Sequence, residues 1–142
     1  MKGREHYLQV RVYFEDTDLA GVVYHANYLK YAERARSEWL RSLGIPVAKI
    51  NEELGFVPLV RRLSVDYRRP ARMDDLLVVR TEIIGFTRVC ITLAQSIFRG
   101  CDEELLCTLK VDVLWVSSTG RPQRLPHMLV SQITPLKESK ST

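Results

Sequence analysis

The hydrophobic period of the chain changes twice. Leu8, Val10, Val12 and Phe14 alternate with more polar neighbours, the period of a half-buried strand. The alternation stops at Glu15-Asp16-Thr17-Asp18, and these acids followed by Gly21 predict a loop. From Ala26 to Leu43 the period lengthens. Tyr28, Tyr31, Ala32, Ala35, Trp39 and Leu43 recur at helical spacing, while Lys30, Glu33, Arg34, Ser37 and Arg41 fall mostly elsewhere,. Asn27 or a residue just before it is a candidate cap, and Gly44 followed by Pro46 is a stop signal. The spacing predicts one helix of about four to five turns. Ala32 and Ala35 would let it approach something flat, such as a sheet.

Beyond a short stretch of helical character, Val47 to Leu54, the chain becomes strand-like. Val57, Leu59, Leu63, Val65 and Tyr67 share one phase, which Pro70 and Asp74-Asp75 break. Leu76 to Ile84 is a second apolar run, and Gly85-Phe86-Thr87-Arg88 is a candidate turn. Val89, Ile91, Leu93 and Ile97 follow, ended by Arg99-Gly100-Cys101-Asp102. Leu105, Cys107, Leu109, Val111, Val113 and Trp115 then keep one phase up to Ser118-Thr119-Gly120. From Arg121 onward Pro122, Pro126 and Pro135 predict an irregular segment. Short turns between late strands imply hairpins. The fold class is therefore α+β: one long central helix packed on an antiparallel sheet of about five strands. A single helix covers one face of such a sheet, so the uncovered area predicts a homo-oligomer, a dimer or a tetramer. The length of 142 residues suits a single domain, placed at 1–136. The polar end, 137–142, is expected to be a flexible tail.

Composition narrows the class. Hydrophobic residues make up 46% and charged residues 27%, an ordinary globular balance that excludes general disorder. The net charge of +4 comes partly from arginine pairs, Arg61-Arg62 and Arg68-Arg69, then Arg72. No long basic run exists, so the pairs read as solvated arginines rather than a nucleic-acid stripe. Cys90, Cys101 and Cys107 lack CxxC spacing, which argues against a disulfide framework or a zinc site. Cys90 and Cys107 fall in apolar runs and read as core residues. No apolar stretch follows Met1-Lys2-Gly3-Arg4, and no window approaches membrane-spanning length,. The expected location is cytoplasmic.

There is no G-x-S-x-G elbow, P-loop, H-E-x-x-H or G-x-G-x-x-G,. His6, His25 and His127 are far apart in sequence. The chemistry concentrates instead in the loop from Asp16 to Tyr28. Two carboxylates precede a glycine there, and a short apolar stretch leads into a helix start with unpaired N–H groups and partial positive charge. Such a site could polarise a carbonyl while a carboxylate attacks it or activates water. On physical grounds alone, Asp16 and Asp18 could equally be loop and capping acids, and His25 a structural histidine.

The run Phe14-Glu15-Asp16-Thr17-Asp18-Leu19-Ala20-Gly21-Val22-Val23-Tyr24-His25-Ala26-Asn27-Tyr28 resembles the signature of the 4-hydroxybenzoyl-CoA thioesterase family. Its closest likeness is to the Tol-Pal-associated acyl-CoA thioesterase branch, as is that of Tyr31-Ala32-Glu33-Arg34-Ala35-Arg36. The resemblance implies the hotdog fold, with sites between protomers. It implies that Asp18 is the catalytic carboxylate and Asp16 a loop acid. His25 would supply a backbone N–H to the thioester carbonyl and a side chain that orients or handles protons. Val23, Tyr24, Asn27 and Tyr28 would line the substrate site. Phe14 departs from relatives with tyrosine there, so a hydroxyl contact is lost.

The implied activity is hydrolysis of an acyl-CoA thioester to a carboxylic acid and CoA, with no metal and no cofactor. Arg88 is the first candidate for the nucleotide phosphates of CoA, with Arg69 and Arg72 next, since the guanidinium fork matches phosphate oxygens. The alternative is a non-catalytic module that binds acyl groups or a carrier protein near the envelope machinery. Peripheral contact with the inner membrane or an acyl carrier protein is an expectation of the same kind.

Overall fold

Five strands form one antiparallel sheet in the order β1-β3-β4-β5-β2. They are β1 (Glu5–Arg11), β2 (Phe56–Tyr67), β3 (Leu76–Phe86), β4 (Cys90–Arg99) and β5 (Leu105–Ser117). The structure, a computed structural model, describes residues 4–133. The expected tail, 137–142, lies outside the described residues.

Among the described residues, the helical segments divide into three elements, not one long central helix. These are α1 (His25–Ser42), α2 (Val47–Leu54) and α3 (His127–Ile133). The first break is a Schellman turn. Gly44, at φ +80, donates to the Arg41 carbonyl at 3.0 Å, and Ile45 donates to the Leu40 carbonyl at 2.9 Å,. Pro46 then opens α2. The segment expected to be irregular holds α3, because Pro126 sits at its start. The Pro126 carbonyl accepts from the N–H groups of Leu129 and Val130 at 3.0 Å, a place where a missing proline N–H costs nothing.

Helix α1 buries Tyr28, Tyr31, Ala32, Ala35, Trp39 and Leu40 against β1 and β3. Ala32 and Ala35 are fully enclosed, consistent with close approach to the sheet. Truncating Trp39, also fully enclosed, to alanine would cost roughly 3–5 kcal/mol. The inner sheet face presents Leu77, Val79, Ile83, Ile91, Leu93, Ile97 and the odd-numbered run Cys107 to Trp115. Two polar residues lie among them. The side-chain amide of Gln95 donates to the Ala32 carbonyl and the Thr81 hydroxyl, both at 2.9 Å, and its oxygen accepts from Arg36 at 3.0 Å. This network satisfies the buried groups and ties α1 to β3 and β4.

Strand β2 departs from the single phase that its sequence predicts. Val60 pairs with Val113 and Arg62 with Asp112, so Arg61 is a bulge that reverses the alternation. Pro58, Val60, Leu63, Val65 and Tyr67 therefore share the inner face, opposite Trp115, Val113, Val111, Leu109 and Cys107. Val57 and Leu59 turn to the other face. β2 is an edge strand of 12 residues, and Leu59, Val60, Leu63 and Tyr67 on it are 37–52% exposed. Among the described residues, no helix is long and apolar enough to cross a membrane.

Candidate functional site

Strand β1 ends at Arg11, and residues 14–16 form a 3₁₀ turn. The chain then folds back on itself. Thr17 bridges Val23, and the N–H of Asp18 donates to Val22 at 2.9 Å. Gly21, at φ +78, closes the turn by donating to the Asp18 carbonyl at 2.9 Å. That left-handed conformation suits glycine and strains other residues.

The two aspartates have different surroundings. The Asp16 carboxylate accepts from the Tyr13 N–H at 2.9 Å. Its backbone carbonyl accepts from the Tyr24 N–H at 3.0 Å and the Asn27 side-chain amide at 2.8 Å. Asp16 and Asn27 thus fasten the loop to the first turn of α1. Asn27 is not the helix cap; Tyr24 holds that position without a side-chain cap bond. The Asp18 carboxylate is exposed. One oxygen accepts from the Ala20 N–H at 2.9 Å, an Asx turn, and the other accepts no hydrogen bond from the described residues.

His25 is the first residue of α1, so its N–H has no intrahelical partner and lies in the positive field of the helix start. Its ring is exposed, 4.5 Å from that of Tyr24 and edge-on to Tyr67 at 6.2 Å. The Tyr67 hydroxyl donates to the His25 carbonyl at 2.9 Å. Tyr28 is buried, and its hydroxyl accepts from the Ala71 N–H at 2.9 Å. Burial pushes its pKa up. Tyr31 beneath it is raised further, first by burial and next by the Asp16 carboxylate.

Val23, His25, Tyr28, Tyr67 and Arg69 line a cleft of about 250 Å³. Tyr67, at the end of β2, carried no local signal of a role here. Val23 is buried, and its N–H donates to Ala71 at 2.8 Å. Arg72 bridges Val22, and its N–H donates to Asp75 at 2.9 Å. Arg88 is elsewhere. It lies in the β3–β4 hairpin, which Thr87 closes with bonds to Cys90. It shares a depression with Phe56 and Arg124. Phe56 and Tyr67 are opposite ends of β2, separated by on the order of 30 Å. Within one chain, Arg69 is therefore beside His25 and Arg88 is not. Among the described residues, no group of three or more His, Cys, Asp or Glu side chains could hold a metal ion.

The family model for the Thioesterase-like superfamily matches residues 12–133, and the chain belongs to that superfamily. It is 40% identical over 125 residues to the acyl-CoA thioester hydrolase YbgC of Escherichia coli O157:H7, covering 87% of this chain and 91% of the relative. A solved structure of a probable thioesterase from Bartonella henselae is 38% identical with a TM-score of 0.82, covering 86% of this chain and 99% of that one. The 4-hydroxybenzoyl CoA thioesterase from Pseudomonas sp. strain CBS-3 superposes with a TM-score of 0.85 at 24% identity, covering 90% of this chain and 98% of that one. At that identity the likeness is one of fold, the hotdog with its five-stranded antiparallel sheet.

Proposed function

We propose that this chain is an acyl-CoA thioesterase of the Tol-Pal-associated branch, hydrolysing a thioester to the free carboxylic acid and CoA. The observation that carries the reading is that one short segment holds both the exposed carboxylate of Asp18 and, at the start of α1, the N–H of His25, which has no partner among the described residues. The similarity to a named acyl-CoA thioester hydrolase over most of both chains supports it. The His25 N–H and the field of α1 stabilise negative charge on the carbonyl oxygen as the tetrahedral species forms. The Asp18 carboxylate either attacks the carbonyl, giving a mixed anhydride that water opens, or takes a proton from the attacking water. In both routes thiolate leaves and is protonated.

The protein acts as a homo-oligomer, a dimer at minimum. Support comes from β2, a long edge strand with four exposed large apolar side chains, the kind of edge that monomeric proteins shorten or cover. Light scattering at micromolar concentration would give a monomer if this were wrong. Antiparallel self-pairing along the full strand sets Phe56 against the partner's Tyr67. Arg88, which shares a depression with Phe56, would then come near the partner's site. The CoA phosphates are held in this way, by Arg88 from across the interface and Arg69 from the same chain.

The decisive experiment measures thiol release from a panel of acyl-CoAs. Asp18→Asn keeps the side-chain shape and removes the charge, so turnover should fall by at least about a thousandfold with the fold intact. Asp16→Asn should retain most of it. Equal activity of wild type and Asp18→Asn would overturn the assignment.

A further inference from the structure

Residues 70–75, the turn between β2 and β3, seat both flanks of the Asp18 loop. Before the loop, the Val12 N–H donates to the Asp75 carbonyl and the Asp74 N–H to the Val12 carbonyl, both at 2.9 Å. After it, Val22 bridges Arg72, and the Val23 N–H donates to the Ala71 carbonyl at 2.8 Å. Helix α1 reaches the same turn through Tyr28, whose hydroxyl accepts from the Ala71 N–H at 2.9 Å. Among the described residues, the Asp18 carboxylate is bonded by Ala20 alone, inside its own loop. The distance from that carboxylate to the His25 N–H is therefore set by backbone, and the backbone rests on the turn.

The turn does not hold its own shape. Asp74 sits at φ +71, a conformation that costs a non-glycine residue energy and persists where the surroundings fix it. Two arginines from two strands do so. Arg11, at the end of β1, donates to the Asp74 carbonyl at 2.8 Å. Arg99, at the end of β4, donates to the Pro70 carbonyl at 3.1 Å, and its Nε is 3.4 Å from the Asp75 carboxylate. The same carboxylate oxygen accepts from the Arg72 N–H at 2.9 Å, so Arg99 grips the turn at both ends.

Arg99 is itself fixed. Its third nitrogen donates to Asp102 at 2.9 Å, its N–H donates to the Glu104 carbonyl at 2.9 Å, and Gly100 donates to the Leu76 carbonyl at 2.7 Å. The guanidinium fork meets three acceptors at once, which a lysine ammonium, a point charge, cannot span. Arg99 does not line the cleft at His25, so any effect it has on the reaction passes through the turn.

We propose that Arg99 is a positioning residue for thioester hydrolysis: it clamps residues 70–75 and so fixes the Asp18 carboxylate and the His25 N–H relative to each other. The proposal rests on the acyl-CoA hydrolase reading above. With the clamp released the substrate still binds, but attack and oxyanion stabilisation lose their alignment.

Arg99→Met keeps the length of the side chain and removes its donors. It should lower kcat between about tenfold and a hundredfold, the cost of displacing a reacting group by up to about an ångström, with KM moving less than about threefold. Arg99→Lys should recover part of that kcat, because one donor remains for the Pro70 carbonyl. A residue acting through packing alone would be replaced better by methionine than by lysine. Amide exchange followed by NMR reads the clamp without substrate. In Arg99→Met the N–H groups of Ala71 and Val23 should exchange at least about tenfold faster, while those in the middle of β5, paired on both sides, keep their rates. If exchange rises throughout, the variant is loosened globally, and Arg99→Lys carries both tests with kcat down about threefold to tenfold.

A kcat like that of wild type, a loss confined to KM, or unchanged exchange at Ala71 and Val23 would overturn this proposal while leaving the hydrolase reading in place. A wild-type protein inactive on every acyl-CoA would instead sink that reading, and this proposal with it.

Discussion

The hydroxyl of Tyr67 donates a 2.9 Å hydrogen bond to the backbone carbonyl of His25, so the last residue of the edge strand holds the first residue of helix α1. If His25 presents its N–H to the substrate, this bond sets the angle of that donor. Tyr67→Phe removes the bond and little else. It should lower kcat by about threefold to tenfold, the worth of one hydrogen bond, with the melting temperature nearly unchanged. A change confined to KM would make Tyr67 a wall of the cleft and not a positioning residue.

Two substitutions at His25 separate backbone from side chain. His25→Ala keeps the N–H and should lower kcat more than it raises KM. His25→Pro removes the N–H at a position where proline is tolerated, the first residue of a helix. Tyr24, at φ −62 and ψ 133, already has the extended conformation that precedes proline. The proline variant should lose on the order of 10² to 10³ in kcat, the cost of an oxyanion donor elsewhere. If His25→Ala were the worse of the two, the side chain would carry the chemistry.

Arg88→Ala should raise KM for acyl-CoA with kcat little changed. The same variant should act nearly as wild type on acyl-pantetheine, which lacks the nucleotide. Equal losses on the two substrates would mean that Arg88 acts through the β3–β4 hairpin and not through phosphate.

The thiols predict an alkaline limit. Burial, with a smaller push from Asp66, raises the Cys107 pKa to about 11, and burial also raises Cys90. Above about pH 9 the unfolded chain has released these protons while the folded chain keeps them. The unfolded state then binds fewer protons, so stability falls as pH rises toward about 11. Urea midpoints measured across that window should decline, and Cys107→Ala should flatten the decline. At about pH 8, iodoacetamide should label exposed Cys101 and spare the two buried thiols,.

Much of this layout was legible in the sequence, for physical reasons that differ by element. Helix α1 was readable because its buried stripe, Tyr28 to Trp39, is set by its own period of 3.6. Strand β5 was readable because every second side chain from Cys107 to Trp115 is buried. Strand β2 was misphased because the bulge at Arg61 exists only through pairing with β5, some fifty residues away. The loop acids were legible as a pair, but their difference was not physical knowledge until Asp16 was seen bonded to Tyr13, Tyr24 and Asn27. Tyr67 escaped notice as a neighbour of His25 because a strand end returns there from forty residues downstream; Arg69, a second choice for the CoA phosphates, lines the same cleft. Arg88 was placed at the site by its residue type, and the sheet order puts it at the far end of its own chain.

The sheet order also bears on how the chain is made. Strand β2 leaves the ribosome well before β5, its sole strand neighbour among the described residues, and the intervening β3 and β4 must emerge first. For that interval both of its edges are open, and contacts so distant in sequence form slowly. A nascent β2 is thus a template for another nascent β2 on the same message. A slower supply of β5 should therefore favour aggregation.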